Sequence, residues 1–183
     1  MKTITQTTTT TYEINRSKFI AHLTTPDNFK KLREELKVKH PKANHIVYAL
    51  RELNEFAQIV ENSSDDGEPK GSSGVPALNV LRGKELINVS LLIVRYFGGI
   101  KLGIGGLARA YGNATKKVVE EANLIEYIKE IDYSFSTPYN QIEKTLYNLK
   151  QLDITKFTRD FGVDRVDWTI TTTQEKIDKL NIS

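Results

Sequence analysis

Three acids in four residues, Asp65, Asp66 and Glu68, share the segment DDGEPKGSSGVP with Lys70, Ser72 and Ser73. Carboxylates at that density can ligate Mg²⁺, orient basic neighbours or cap a following helix. Further along, Arg95, Lys101 and Arg109 punctuate RYFGGIKLGIGGLARAYG, whose glycines Gly98, Gly99, Gly103, Gly105 and Gly106 fall within nine residues. Cations beside such a turn suit a phosphate or carboxylate, because glycine lets the backbone approach a ligand closely. Ten of the eleven glycines lie between Gly67 and Gly112, so function is expected there.

A strand and a helix must position the second glycine run. Ile87 to Phe97 (INVSLLIVRYF) is short, rich in Val, Ile and Leu, and followed at once by glycine, as a buried strand would be. From Gly105 onward, Leu107, Ala110 or Tyr111, Ala114, Val118 and Ala122 recur at helical spacing. The unit is strand, glycine-rich turn, helix N-terminus, and the unpaired amides and positive dipole end of a helix start favour an anion. Its spacing fits neither the GxxxxGK[ST] loop nor the GxGxxG dinucleotide fingerprint, which disfavours a nucleotide-hydrolysing P-loop. Tyr96 and Phe97 follow Arg95, and strand alternation lets only one of them share a face with the site, where it could stack on a base or sugar; Tyr96 is the one counted among the candidate nucleic-acid- or anion-binding residues.

The acidic loop has a plainer reading beside the metal one. Ser73 or Gly74 ahead of Val75-Pro76 fits an N-cap region, with Pro76 tolerated in the first turn. No His or Cys joins the acids, so Mg²⁺ is the one cation considered and no cofactor is predicted. His45 precedes an apolar strand, where it would be a packed histidine, a proton donor or a phosphate contact. His22 and His40 share no metal-like spacing with it, and zinc is not expected. Trp168 reads as core or sheet surface rather than a base-stacking platform.

Elsewhere the chain alternates strands and helices. Thr7 to Ile14 and Lys18 to Leu23 form a predicted hairpin, and Thr25-Pro26 opens a helix with Phe29, Leu32 and Leu36 on one face. His45 to Arg51 and Glu55 to Val60 read as the next strand pair, turning around Asn54. Beyond a boundary near 127–129 the pattern is β-α-β-β-α: strand 131–137, helix 140–152, hairpin strands 154–161 and 165–172, helix 174–180. That is one strand short of the ferredoxin-like pattern, so an open sheet edge or a strand supplied differently is expected. The prediction is an α+β chain with domains 1–128 and 129–183, the second incomplete.

Bulk properties are those of an ordinary mixed domain. The 183 residues are 39% hydrophobic, contain no cysteine and carry a formal charge of +3. Residues 129–183 hold 8 Lys and Arg against 9 acids, leaving 18 against 14 for residues 1–128. So mild a basic balance is weak support for nucleic acid; the local placement of Arg95, Lys101 and Arg109 is the stronger argument. No apolar run approaches the roughly 20 residues of a membrane helix, and the start lacks a signal-peptide core, so a cytoplasmic, membrane-free protein is expected. Disulfides and thiolate metal sites are excluded.

HIVYAL from His45, DDGEPKGSSGVPALNVL from Asp65 and LLIVRYFGGIKLGIGGLARAYG from Leu91, with SKFIAHL near the start, resemble the signature blocks of the IMPACT/YigZ family. The similarity runs along essentially the whole chain. It implies an N-terminal domain of the ribosomal-protein-S5 domain-2-like fold and a small ferredoxin-like C-terminal domain. It also implies a link to translation, since eukaryotic relatives act in translational control under stress. It brings no catalytic activity, and no catalytic residue is assigned.

Three functions follow as expectations. The first is a translation-linked regulator or RNA- or ribosome-binding module that docks phosphates on the Arg95 to Arg109 segment. The second is a protein-interaction regulator of translation whose same surface meets a protein partner. The third is an enzyme acting on a small phosphorylated or carboxylated ligand, with Asp65, Asp66 or Glu68 holding Mg²⁺ or serving as base. The sequence sets no oligomeric state.

Overall fold

The computed structural model describes residues 1–180, in two compact units that divide between Tyr127 and Ile128. In the first unit, β1 (Lys2–Thr3), β2 (Thr8–Ile14) and β3 (Ser17–Thr24) precede α1 (Phe29–Lys39), with a single 3-10 turn at Pro26–Asn28 between them. Then come β4 (His45–Leu53), β5 (Ile59–Ser64), α2 (Gly74–Gly83), β6 (Val89–Tyr96), α3 (Gly103–Glu121) and β7 (Ile125–Glu126). Five strands form one antiparallel sheet in the order β2-β3-β6-β4-β5, and β1 pairs separately with β7.

Alternation along β6 explains its continuous apolar run. Val89, Leu91 and Ile93 face the core made with α2 and α3, while Leu92 and Val94 face the smaller core under α1. Both faces of the central strand are covered, so seven of its eight residues are buried. Arg95 continues the α2/α3 face, and in the register of β4 with β6 it lies opposite His45. The α+β, S5 domain-2-like reading of this unit holds.

One strand starts later than its composition suggests. Glu55 to Gln58 belong to the turn, because the Asn54 carboxamide oxygen accepts from the amides of Phe56 and Gln58 at 3.0 and 2.9 Å. Ala57 takes φ +58 there, and β5 begins at Ile59 opposite Leu53. The local side-chain bonds of Asn54 outcompete the strand ladder at these positions.

The second unit contains β8 (Ile131–Pro138), α4 (Ile142–Gln151), β9 (Phe157–Phe161), β10 (Arg165–Thr172) and α5 (Gln174–Lys179). Its sheet order is β8-β10-β9, the arrangement a ferredoxin-like sheet has without its fourth strand among the described residues. Val166, Trp168 and Ile170 of the central strand bury against Leu149 and Ile154. Trp168 is a core residue, fully buried, and its indole N–H donates to Thr137 Oγ1 at 2.8 Å.

Candidate functional site

The turn after β6 is pinned on both sides. An ideal Cβ on Gly98 would lie 2.0 Å from the Arg16 carbonyl carbon, so only glycine lets the chain pass over the β2–β3 turn. The Gly98 amide donates to Ser17 Oγ at 3.2 Å and the Phe97 amide to Asn44 Oδ1 at 2.9 Å. Gly99 and Gly103 take φ +85 and +69, a region that favours glycine. Helix α3 therefore begins at Gly103, two residues before the periodicity places it, and Gly105 and Gly106 fall in its first turn. Leu102 stands at the N-cap, so among the described residues no side chain caps the first amides of this 19-residue helix.

Behind the turn lies a buried ionic cluster. Arg95 Nη1 donates to Glu68 Oε1 at 2.5 Å, with the side chains 7% and 3% exposed. The Tyr111 hydroxyl donates to the same oxygen at 2.8 Å. Burial, reinforced by the charge of Glu68, pushes the Tyr111 phenol far above its ordinary pKa, so it stays a donor. The Arg95 guanidinium also lies over the rings of Phe19 and Phe97, at 5.5 and 5.7 Å. His45 Nδ1 donates to the Asp66 carbonyl at 2.7 Å, which leaves Nε2 toward Glu68 Oε2 at 3.8 Å.

The other acids serve the loop itself. Asp65 accepts from the amides of Gly71, Ser73 and Gly74 and from the Ser73 hydroxyl, at 2.7, 3.1, 2.8 and 2.6 Å. It thereby caps α2 from nine residues upstream, although Ser73 holds the N-cap position and Pro76 lies in the first turn. Desolvation opposes ionisation of Asp65, and these four bonds outweigh it, holding its pKa below the ordinary value. Asp66 accepts from the Ile46 amide at 2.6 Å. The three carboxylates thus face separate sets of donors instead of converging, and among the described residues no group of three or more acids or histidines is arranged to hold a metal. Lys70 is exposed, and Ser72 is buried with no partner for its hydroxyl among the described residues.

Between the turn and the cluster is a cavity of about 340 Å³. Buried Glu68 and Arg95 lie at its base with His45, and Phe97, Leu102, Ile104 and Leu107 supply apolar walls. Lys101 is exposed at its mouth and has no carboxylate partner among the described residues. Gly103 also lines the cavity.

The remaining expected residues lie apart from this cavity. Tyr96 is on the α1 face of the sheet, bonded to His40 Nδ1 at 2.8 Å, so Phe97 is the aromatic that shares the site. Arg109 is exposed along α3, with Nη1 3.7 Å from where a Gly105 Cβ would be, and does not line the cavity. Asp65, Asp66, Lys70, Ser72 and Ser73 shape the loop behind it. Sequence reasoning missed Asn44 and the role of Tyr111, which helical spacing marked only as core.

The fold and site define a two-unit α+β protein with an uncapped helix start over a partly apolar cavity. The family model of the Impact N-terminal domain matches residues 15–119, and the chain belongs to the IMPACT family. An IMPACT family member of Haemophilus influenzae is 37% identical over 140 residues, covering 75% of this chain and 61% of that protein. The member YvyE of Bacillus subtilis is 36% identical, covering 62% of this chain and 52% of its own length. The matched region thus spans roughly half to two thirds of these relatives. A crystal structure of a hypothetical protein superposes with a TM-score of 0.73 at 27% identity, covering 98% of this chain and 88% of that one.

In the described residues no helix is long and apolar enough to cross a membrane.

Proposed function

We propose that this chain is a translation-linked binding protein that receives an anionic group of RNA, on or off the ribosome, at the glycine-rich turn. The observation that carries the reading is the uncapped start of α3 beside Lys101, opening on a cavity walled by Phe97. Free amides and the helix dipole favour a phosphate, Lys101 adds a point charge, and the exposed Phe97 ring offers a stacking face. Membership of the IMPACT family supports the process, because the resemblance links its eukaryotic members to translational control. Arg95 contributes by holding the turn rather than by meeting the ligand, since Glu68 takes its charge.

One observation favours a second reading, a protein partner at the same place. Phe97, Ile100 and Ile104 are 46, 46 and 65% exposed, which suits an apolar anchor from another protein. Salt separates the two: phosphate contacts release counterions and weaken steeply with ionic strength, whereas an apolar anchor responds little. Titrating isolated ribosomal subunits and structured RNA with Lys101→Glu and Ile104→Asp at several salt concentrations tests the proposal. Loss on Lys101→Glu with a strong salt dependence supports RNA. Loss on Ile104→Asp alone, independent of salt, supports a protein partner and contradicts the proposal.

A further inference from the structure

Strand β9 is one edge of the second sheet. The Thr171 amide donates to the Lys156 carbonyl at 3.0 Å and the Gly162 amide to the Arg165 carbonyl at 2.9 Å. Hydrogen bonding alternates along an antiparallel strand, so Lys156, Thr158 and Asp160 bond toward β10. Phe157, Arg159 and Phe161 therefore turn their N–H and C=O groups to the open edge, which no other described strand covers. Every residue of β9 is exposed.

Charged side chains usually keep an open edge from pairing. Here they favour one pairing. If a second copy lies antiparallel with Thr158 opposite its own counterpart, Lys156 faces Asp160 and Phe157 faces Arg159, and symmetry makes each pair twice. Opposite charges across strands attract, and so does a guanidinium beside a ring; Lys156 Nζ, held at 2.5 Å from Glu130 Oε2 of its own chain, shares its charge between Glu130 and the facing Asp160. Arg159 already lies over Phe157 at 6.0 Å within its own strand. Centring on Arg159 would oppose two guanidiniums, centring on Asp160 two carboxylates, and centring on Phe157 would leave Lys156 and Asp160 without opposite charges. Phe157 and Arg159 also own the outward backbone groups that this register would bond.

We propose that the chain self-associates through β9, two copies joining edge to edge in an antiparallel pair centred on Thr158. The inference concerns the second unit alone and is independent of the reading of the glycine-rich turn. Sedimentation velocity of the full chain over a concentration series should show a reversible dimer. Asp160→Lys places like charges opposite each other twice and should raise the dissociation constant about tenfold. Adding Lys156→Asp should return it to within about threefold of the original. The chain has no cysteine, so Thr158→Cys gives a clean crosslink test. Residues in such a pair have Cα atoms about 4.5 Å apart, within disulfide reach, and oxidation should give a covalent dimer. Fully exposed Val163, converted to Cys, should not crosslink. A monomer at every concentration, a dimer indifferent to Asp160→Lys, no rescue by the paired reversal, or equal crosslinking at both positions would overturn the proposal.

Discussion

Arg95 and Glu68 meet at 2.5 Å with both side chains almost wholly buried, joining the end of β6 to a loop 27 residues earlier in the chain. Removing one partner leaves the other charge buried, which typically costs about 3 to 5 kcal/mol. Arg95→Ala should therefore destabilise the first unit by that order in urea unfolding. Arg95→Leu combined with Glu68→Gln should recover much of the loss, because the carboxamide still accepts from Tyr111. A cost for Arg95→Ala below about 1 kcal/mol would show that the pair does not hold the turn.

Gly98 and Gly112 should respond oppositely to alanine. At Gly98 the new Cβ would collide with the backbone of Arg16 and Ser17, and overpacking of that kind costs about 1 to 3 kcal/mol or more. At Gly112, inside α3, nothing lies within 4 Å of the added carbon. Helix propensity then favours alanine by up to about 1 kcal/mol. Thermal unfolding of the two variants checks this contrast, and equal shifts would contradict it.

His22 makes stability depend on pH. Burial, helped by nearby His40 and Lys39, lowers its pKa from 6.5 to about 4, and its Nδ1 bonds Thr9 Oγ1 at 2.9 Å. The unfolded chain binds a proton at this residue between those values while the folded chain does not. Stability from this group is thus complete above pH 6.5 and is lost as pH falls toward 4. His40, also lowered, acts with the same sign. Urea midpoints at pH 7 and pH 5 should differ less in His22→Gln than in the parent. An unchanged difference would remove His22 as the cause.

Local chemistry made much of this legible in the sequence. The apolar run before Gly98 gave β6, the period of Leu107, Ala114 and Val118 gave α3, and the threonine run ahead of Lys18 to Leu23 gave the β2–β3 hairpin. What stayed hidden depends on partners distant in the chain. Arg95 looked like a free cation until the fold brought Glu68 and Tyr111 to it, and the acidic loop, open in sequence to a helix-cap or a cation reading, has Asp65 capping α2. Alternation showed that Tyr96 and Phe97 must part, but the side on which each lies is decided by the packing of α1 and α3.

The most direct measurement is the salt dependence of binding of the parent chain and Lys101→Glu to isolated ribosomal subunits and structured RNA. Lys101 is exposed, so its replacement should leave the urea midpoint unchanged. The expected result is binding at low salt that weakens steeply as salt rises, with Lys101→Glu binding more weakly and its salt slope smaller by about one. Absence of binding at low salt, or identical binding curves for the two proteins, would contradict an anion-receiving role for the glycine-rich turn.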